Sequence, residues 1–319
     1  MAAPAIDLHA LDLASAGVTD RMVQVESANP RNFHAAISDP GSCPPVAIEA
    51  RLAVRPGAPT VIIVPGSAGV GPNHVEHART LIAAGYSVCL VDPFGGRAVT
   101  STVANQAQYS FAASAFDVVA TLRTIADLPG IDPERVSAQG HSRGGAAVAA
   151  AACRQFADVI GGPGLALAGA YLAYPWCGQQ FTPPRVGRTR VRAIIGDRDD
   201  WGSVVQAQGL IHAMAGTGAV ATIRLVAGAG HSFDRDEAFH EIPEARVSPH
   251  APTEYLAEDG SMIDPYTGSP DPARTDLEQF RAAVANGFGQ RGAHMGSSHP
   301  EQPALFRADM LAFHAATFA

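Results

Sequence analysis

The stretch Arg135-Val136-Ser137-Ala138-Gln139-Gly140-His141-Ser142-Arg143-Gly144-Gly145 decides how this chain is read. A short strand-like segment, Arg135 to Gln139, passes through Gly140 into an alanine-rich segment, Ser142 to about Phe156, that reads as a helix. Its centre fits Gly-x-Ser-x-Gly, with the serine at the strand-to-helix turn. So sharp a turn strains the serine backbone and admits only small residues two positions away, a demand that Gly140 and Gly144 meet. Such a turn exposes the Ser142 hydroxyl at the carboxyl edge of a sheet and aims the Arg143 N–H at a developing oxyanion. Alone, the pattern also suits an ordinary glycine-rich turn or a phosphate cradle at a helix N-terminus, so the surrounding chain has to choose.

Outward from this turn, apolar runs alternate with longer amphipathic segments. Thr60 to Val64 (TVIIV) is a continuous apolar strand ending in Pro65-Gly66-Ser67-Ala68-Gly69, and a helix follows from about Asn73 to Ala84, closed by Gly85. Tyr86 to Val91 is the next buried strand, and a long helical segment spans about Ala104 to Leu128. Leu165 to Tyr174, Val191 to Ile195 and Ala221 to Val226 read as further core strands, with a helix over Gly202 to Ala215. Fully apolar strands separated by helices imply an α/β fold, a mostly parallel central sheet covered on both faces. Met22 to Glu26 and Val46 to Val54 alternate instead, as antiparallel edge strands do.

After His231 the rhythm breaks. Arg246 to Pro272 is rich in proline, glycine and aspartate, and Asp259-Gly260 between Glu254–Ala257 and Ser261–Asp264 predicts a two-residue hairpin. Leu277 to Val284 reads as a short helix, Gly287 to Ser298 as loop, and Ala304 to Phe318 as a terminal amphipathic helix. The chain is therefore read as one domain: edge strands over 1–59, a core over 60–233, an insertion over 234–302 and a last helix over 303–319. The insertion is expected to form a partial lid, a pocket wall or a dimer contact.

A serine hydroxyl is a poor nucleophile without a base, and the base needs a carboxylate to orient it. In the α/β-hydrolase fold these follow in the order Ser, Asp or Glu, His, each just after a strand. Val191 to Ile195 leads into Gly196-Asp197-Arg198-Asp199-Asp200-Trp201, and Thr222 to Val226 leads into Gly228-Ala229-Gly230-His231-Ser232-Phe233. Among the acids, Asp197 reads as part of the turn and Asp200 as a cap for a helix starting near Trp201. Asp199 is placed to reach the histidine Nδ1. Ser142, Asp199 and His231 are thus the candidate catalytic residues. Arg143 and Ser67, with Ala68 next, are the candidate oxyanion donors. His141 is expected to pack under the turn, and His74 and His77 read as a solvated helix face rather than a metal pair. His294 and His299 have no assignable partner.

Composition closes off other chemistries. The 319 residues are 47% hydrophobic and 16% charged, enough for a sizeable core, and the net charge of −8 argues against a nucleic-acid surface. The sequence contains no lysine, which removes a Walker A site and any Schiff-base mechanism. Cys43, Cys89, Cys153 and Cys177 show no CxxC pairing, so a zinc site is not expected, and Cys89 and Cys153 read as buried thiols. No cofactor is expected. The start, Met1 to Asp7, lacks a signal-peptide pattern, and no apolar run reaches membrane-spanning length, so the expectation is a cytoplasmic protein without membrane contact, with a homodimer open to it.

The same residues resemble the dienelactone-hydrolase branch of the α/β hydrolases. The resemblance rests on Val64–Gly69, Asp92-Pro93-Phe94-Gly95-Gly96-Arg97 and Gly140–Gly145, then on Tyr174-Pro175-Trp176-Cys177, Gly196–Trp201 and Gly228–Asp234. It spans roughly Val46 to Asp234; the Asp-Asp-Trp and Gly-His-Ser-Phe-Asp segments are its more specific parts. The family's namesake enzymes carry cysteine where this chain has Ser142, and the segment after Asp234 is longer than the family needs. The resemblance therefore implies hydrolysis of a small-molecule carboxylic ester through an acyl-enzyme, with no dienelactone preference. Phe94, Tyr174, Trp176 and Trp201 are candidate pocket walls, and Arg97 suits either a substrate carboxylate or an ion pair. Lactone, thioester or amide cleavage and acyl transfer remain open on the same serine. A metal-dependent hydrolase or a non-catalytic binding protein on this scaffold are the other rivals.

Overall fold

Where a sequence offers no polar face, its strands have to be covered on both sides, and the centre of this molecule is built that way. A computed structural model describes residues 6–319; Met1 to Ala5, part of the segment read for a signal peptide, lie outside the described residues. Strands β1 (Thr19–Ala28) and β2 (Pro45–Val54) flank a short helix α1 (Phe33–Ser38) and pair antiparallel, Thr19 opposite Val54 through Ala28 opposite Pro45. Next come β3 (Thr60–Val64), α2 (Pro72–Ala83), β4 (Ser87–Asp92), α3 (Phe111–Ala126), β5 (Val136–His141), α4 (Arg143–Ala152) and α5 (Arg154–Ile160). They are followed by β6 (Gly169–Ala173), β7 (Gln179–Phe181), β8 (Arg190–Gly196), α6 (Val204–Gly216) and β9 (Ala221–Val226).

The main sheet has the order β1-β2-β4-β3-β5-β6-β8-β9, antiparallel between β1, β2 and β4 and parallel from β4 onward. Every residue of β3, β5 and β6 is buried. The chain runs from β3 to β4 on one side and returns to β5 on the other, so the carboxyl ends of β3 and β5 mark a switch point where open α/β sheets leave a crevice. Ser142 sits there. At the far edge β9 is half exposed, a border strand rather than the core strand its sequence suggests.

Several boundaries differ from the sequence reading for visible reasons. Helix α3 starts at Phe111, not near Ala104, because the Ser110 side chain accepts the Ala113 N–H at 2.9 Å while Asp276 accepts that of Phe111 at 2.7 Å. Residues 104–110 are loop. The alanine-rich helix breaks at Cys153, which turns extended so that the Arg154 N–H can reach the Arg185 carbonyl at 2.6 Å. Helix α6 begins at Val204 under a Ser203 cap.

The insertion carries more structure than its composition suggests. Strand β10 (His240–Val247) pairs with β14 (Gln290–Met295), which occupies the segment read as loop. Their inward residues Ile242, Ala245, Val247, Ala293 and Met295 form a small second core with Val103 and Trp201. That core holds the insertion against the sheet end that carries Ser142. Between them, β11 (Glu254–Leu256) pairs antiparallel with β12 (Met262–Ile263) and parallel with β7, and β13 (Pro270–Asp271) extends this small sheet. Leu256 faces Met262, so Asp259-Gly260 lies within a five-residue connection instead of a two-residue turn. Helix α7 (Asp276–Ala285) carries a Thr275/Glu278 capping box, and α8 (Gln302–Phe318) closes the chain. Among the described residues no helix is long and apolar enough to cross a membrane.

Candidate active site

The turn after β5 leaves no room for side chains around Ser142. A Cβ on Gly140 would lie 2.1 Å from the Gly144 carbonyl oxygen, and one on Gly144 would lie 2.4 Å from that of Val64. With both neighbours stripped to glycine, the serine itself takes φ 55°, ψ −113°. Tyr174 and Ser232 also adopt positive φ, at 37° and 54°, and both stand at the same end of the sheet as Ser142. Strain of this kind costs about 1–3 kcal/mol per residue and persists only where the surroundings over-determine it. Here the Ser142 N–H donates to the Ala173 carbonyl at 2.9 Å, and its carbonyl accepts from Trp176 at 3.2 Å.

Three side chains from three strand ends converge at this turn. Ser142 Oγ is 2.9 Å from His231 Nε2, and His231 Nδ1 is 2.8 Å from Asp199 Oδ2. The other Asp199 oxygen accepts the N–H groups of Trp201 and Gly202 at 2.9 and 2.8 Å. Those two donors fix the plane of the carboxylate. With Asp199 accepting at Nδ1, the neutral imidazole carries its proton there and presents a lone pair to the serine. Trp201 stacks on the imidazole at 5.1 Å and Tyr174 meets it edge-on at 4.8 Å, so the ring has little freedom to turn. The neighbouring acids go elsewhere. Asp197 accepts the Gly228 N–H, shaping the turn, while Asp200 binds the ring and backbone N–H of His294 instead of capping a helix.

Arg143 is the first residue of α4, where an N–H has no intrahelical acceptor. Ser67 comes from the loop after β3, which lies so close to the turn that a Cβ on Gly66 would be 3.1 Å from Ser142 Cβ. The sequence reading missed what secures this loop. The Ser67 hydroxyl donates to Gln106 Oε1 at 2.9 Å. The Gln106 carbonyl in turn accepts Arg143 Nη1 at 2.7 Å, and the Tyr109 carbonyl accepts Nη2 at 2.6 Å. Arg143 is 2% exposed, and its guanidinium lies over the rings of Tyr109 and Phe111 at 4.3 and 4.1 Å. One buried arginine thus ties both candidate oxyanion donors into a single frame, a link with no local signature in sequence.

Beneath the turn lies a second polar cluster. His74 and His77 are buried, not solvated, because α2 turns this face toward His141 and the α8 residue Phe306. His77 Nε2 and Asn73 Nδ2 each donate to Asp234 Oδ2 at 2.8 Å. Gln139 donates to His141 Nε2, so the neutral ring carries its proton on Nδ1, which donates to the Tyr174 hydroxyl at 2.7 Å, and this hydroxyl donates to Asp234 at 2.8 Å. Burial lowers the His141 pKa to about 3. Burial alone would raise that of Asp234, but the His77 hydrogen bond and the charges around it hold the carboxyl well below its ordinary range. His77, His141 and Asp234 bring ligand-type atoms within 4.8 Å of one another. His77 Nε2 donates to Asp234 and His141 Nδ1 to the Tyr174 hydroxyl, so a cation there would have to displace protons that already have acceptors, while the buried His77 Nδ1 has no partner.

Two clefts meet at Ser142. One, of about 340 Å³, is lined by His231, His74, Tyr174 and Arg235; the other, of about 310 Å³, by Arg143, Phe111, Trp176 and Phe280. Ser67, Ser142 and Trp201 border both. Tyr174, Trp176 and Trp201 are therefore cleft walls. Phe94 is not: it is buried against Tyr109 and lines neither cleft. Arg97 forms a buried two-point ion pair with Asp117, at 2.8 and 2.9 Å, and also donates to Asn29, so its donors are committed within the protein.

No curated protein matches this chain in sequence. Among solved structures, a dienelactone hydrolase-like promiscuous phosphotriesterase from metagenomic libraries is 14% identical, with 86% of this chain and 100% of that one covered at a TM-score of 0.49. The esterase Est22 is 15% identical over 69% of this chain and 75% of that one, TM-score 0.48. The thermophilic carboxylesterase EstE1, also metagenomic, is 17% identical over 68% and 81%, TM-score 0.46. Likeness that distant carries no functional argument. The sequence profile of the dienelactone hydrolase family does, since it matches residues 48–251, from β2 through the segment bearing Ser142, Asp199 and His231. The chain belongs to the dienelactone hydrolase family, within the α/β-hydrolase fold.

Proposed function

We propose that this protein hydrolyses carboxylic esters through an acyl-enzyme on Ser142. The observation that carries the reading is the unbroken line from Asp199 through His231 to Ser142, with contacts of 2.8 and 2.9 Å. His231 Nε2 takes the hydroxyl proton as Ser142 Oγ bonds to the ester carbonyl carbon. The N–H groups of Arg143 and Ser67 receive the oxyanion, and preorganised donors of this kind contribute about 3–4 kcal/mol each to such transition states. Collapse of the intermediate breaks the bond to the alcohol oxygen, which leaves with the proton from His231. A water molecule, deprotonated by the same nitrogen, then attacks the acyl-enzyme and releases the acid. Asp199 balances the imidazolium charge at each stage.

Serine in place of the namesake cysteine suits this chemistry, because a neutral hydroxyl needs the general base that His231 supplies. The direct test is Ser142→Ala assayed with p-nitrophenyl acetate. Loss of at least a thousandfold in kcat in a folded variant is expected; turnover within tenfold of the unaltered protein overturns the proposal.

A further inference from the structure

The two clefts at Ser142 are chemically unequal, and the difference assigns a role to each. The departing alcohol takes its proton from His231, so it has to lie on the side His231 lines. The acyl group then points into the second cleft, beside Arg143, Phe111, Trp176 and Phe280. Behind this cleft lies a further small hollow, which shares Phe111 and Trp176 with it. Its wall is formed by Phe33, Phe181, Leu210, Leu256 and the outward alanines of α4, Ala146, Ala149 and Ala150. The polar members commit their amide nitrogens elsewhere, Gln179 to Asp276 and Gln279 and Gln180 to the carbonyls of Cys177 and Gln206, so that Gln179 Oε1 is a buried polar atom without a partner in an otherwise largely apolar wall. An apolar space of this kind suits hydrocarbon better than water.

The partition between cleft and cavity is one pair of rings. Phe111 and Trp176 stack with centroids 4.1 Å apart and planes 19° from parallel. Phe111 is buried, at the first position of α3, whereas Trp176 is only half-buried and follows Tyr174-Pro175 on a loop. The indole lies directly over Gly178, where a Cβ would sit 2.3 Å from its Cζ2. Of the two rings, Trp176 is the one with open space beside it: it borders both the cleft and a further cavity on its other side, next to Tyr266 and Ala282.

Building on the ester-hydrolase reading, we infer that the cavity behind Phe111 and Trp176 is an acyl-chain pocket and that the natural substrates are esters of medium-length, unbranched fatty acids, with Trp176 as the movable partition. Each methylene moved from water into such a pocket favours binding about fourfold, so a chain that passes the ring pair gains steeply with length until the cavity is full.

The experiment is a chain-length series of p-nitrophenyl acetate, butanoate, hexanoate and octanoate, read as kcat/KM. In the unaltered protein kcat/KM is expected to rise at least tenfold from acetate to hexanoate. Ala150→Leu, which fills the cavity from α4, should lower the hexanoate-to-acetate ratio at least tenfold, and Trp176→Ala should shift the optimum toward octanoate. Melting curves establish that both variants fold; should Ala150→Leu fail to, Leu256→Phe supplies the same narrowing from the opposite wall. Acetate turnover with a flat chain-length profile, or a profile unmoved in the folded variants, overturns the pocket assignment alone. Absence of turnover with every ester overturns the ester-hydrolase reading and the pocket with it.

Discussion

Replacing Asp199 by asparagine separates the orienting role of the carboxylate from its packing. An asparagine side chain presents one acceptor oxygen and one donor NH₂ where the aspartate presents two acceptors. Two backbone donors, Trp201 N–H and Gly202 N–H, point at Oδ1 from 2.9 and 2.8 Å, whereas a single ring nitrogen meets Oδ2. Turning the NH₂ toward the backbone would forfeit two hydrogen bonds, each worth about 1 kcal/mol, and set donor against donor. The oxygen therefore stays with the backbone by roughly 2 kcal/mol or more, about a thirtyfold preference. The NH₂ then faces His231 Nδ1, which has to accept. The imidazole proton moves to Nε2, the one nitrogen that needs a lone pair to receive the Ser142 proton. In the serine-protease triad the same exchange costs about 10⁴ in kcat, close to 5.5 kcal/mol of transition-state stabilisation. The expected result for Asp199→Asn is a comparable fall in kcat on p-nitrophenyl esters, with KM within threefold and the melting temperature nearly unchanged. A loss smaller than tenfold in a folded variant refutes the assignment of Asp199 as the residue that sets the histidine tautomer.

Other consequences follow from the same geometry. Gly140→Ala places a methyl 2.1 Å from the Gly144 carbonyl oxygen, so the turn has to open; a stability loss of about 3 kcal/mol or more is expected in urea unfolding, and a variant of unchanged midpoint contradicts the packing described. Arg143→Met leaves the carbonyls of Gln106 and Tyr109 and the Ser114 hydroxyl without their donor, a cost of roughly 3 kcal/mol or more. It should lower kcat more than it raises KM, because the Ser67 loop loses its anchor; an unaltered kcat counts against that link. Burial holds His141 and His314 neutral down to about 3, while in the unfolded chain both take up protons near pH 6.5. Between those values the unfolded state binds more protons, so stability falls as pH falls, by up to about 1.4 kcal/mol per pH unit for each histidine. Thermal melting from pH 7 to pH 5 should show this slope, and His314→Gln should flatten it; an identical slope in that variant rules His314 out as a contributor.

Much of the candidate site was legible because its signals are local. Gly140 and Gly144 flank Ser142 within five residues, and Asp199 and His231 each follow a strand end in the order the fold imposes. What escaped depends on partners far away in the chain. His74 and His77 show helical spacing and polarity, which read as a solvated face. Their burial is decided by Asp234 and Phe306, more than 150 residues later, and nothing in Pro72–Ala83 announces them. Strand β14 lies in a glycine-rich segment and becomes a strand only by pairing with β10, some fifty residues earlier. Gln106 lay inside a segment that its alanines made look helical; the Ser110 cap that ends this loop was the available signal. Phe94, expected as a pocket wall, belongs instead to the structural layer around Tyr109, and of the two readings of Arg97 the ion pair, with Asp117, is the one formed.

The central claim is that Ser142 becomes acylated. Intact-mass and peptide-mapping measurements after rapid quenching with a slowly deacylating p-nitrophenyl ester, or after treatment with a fluorophosphonate, test it directly. A single adduct is expected, on the peptide containing Ser142, absent from Ser142→Ala and strongly slowed in His231→Ala. An adduct on any other residue, or equal labelling of Ser142→Ala, contradicts the account.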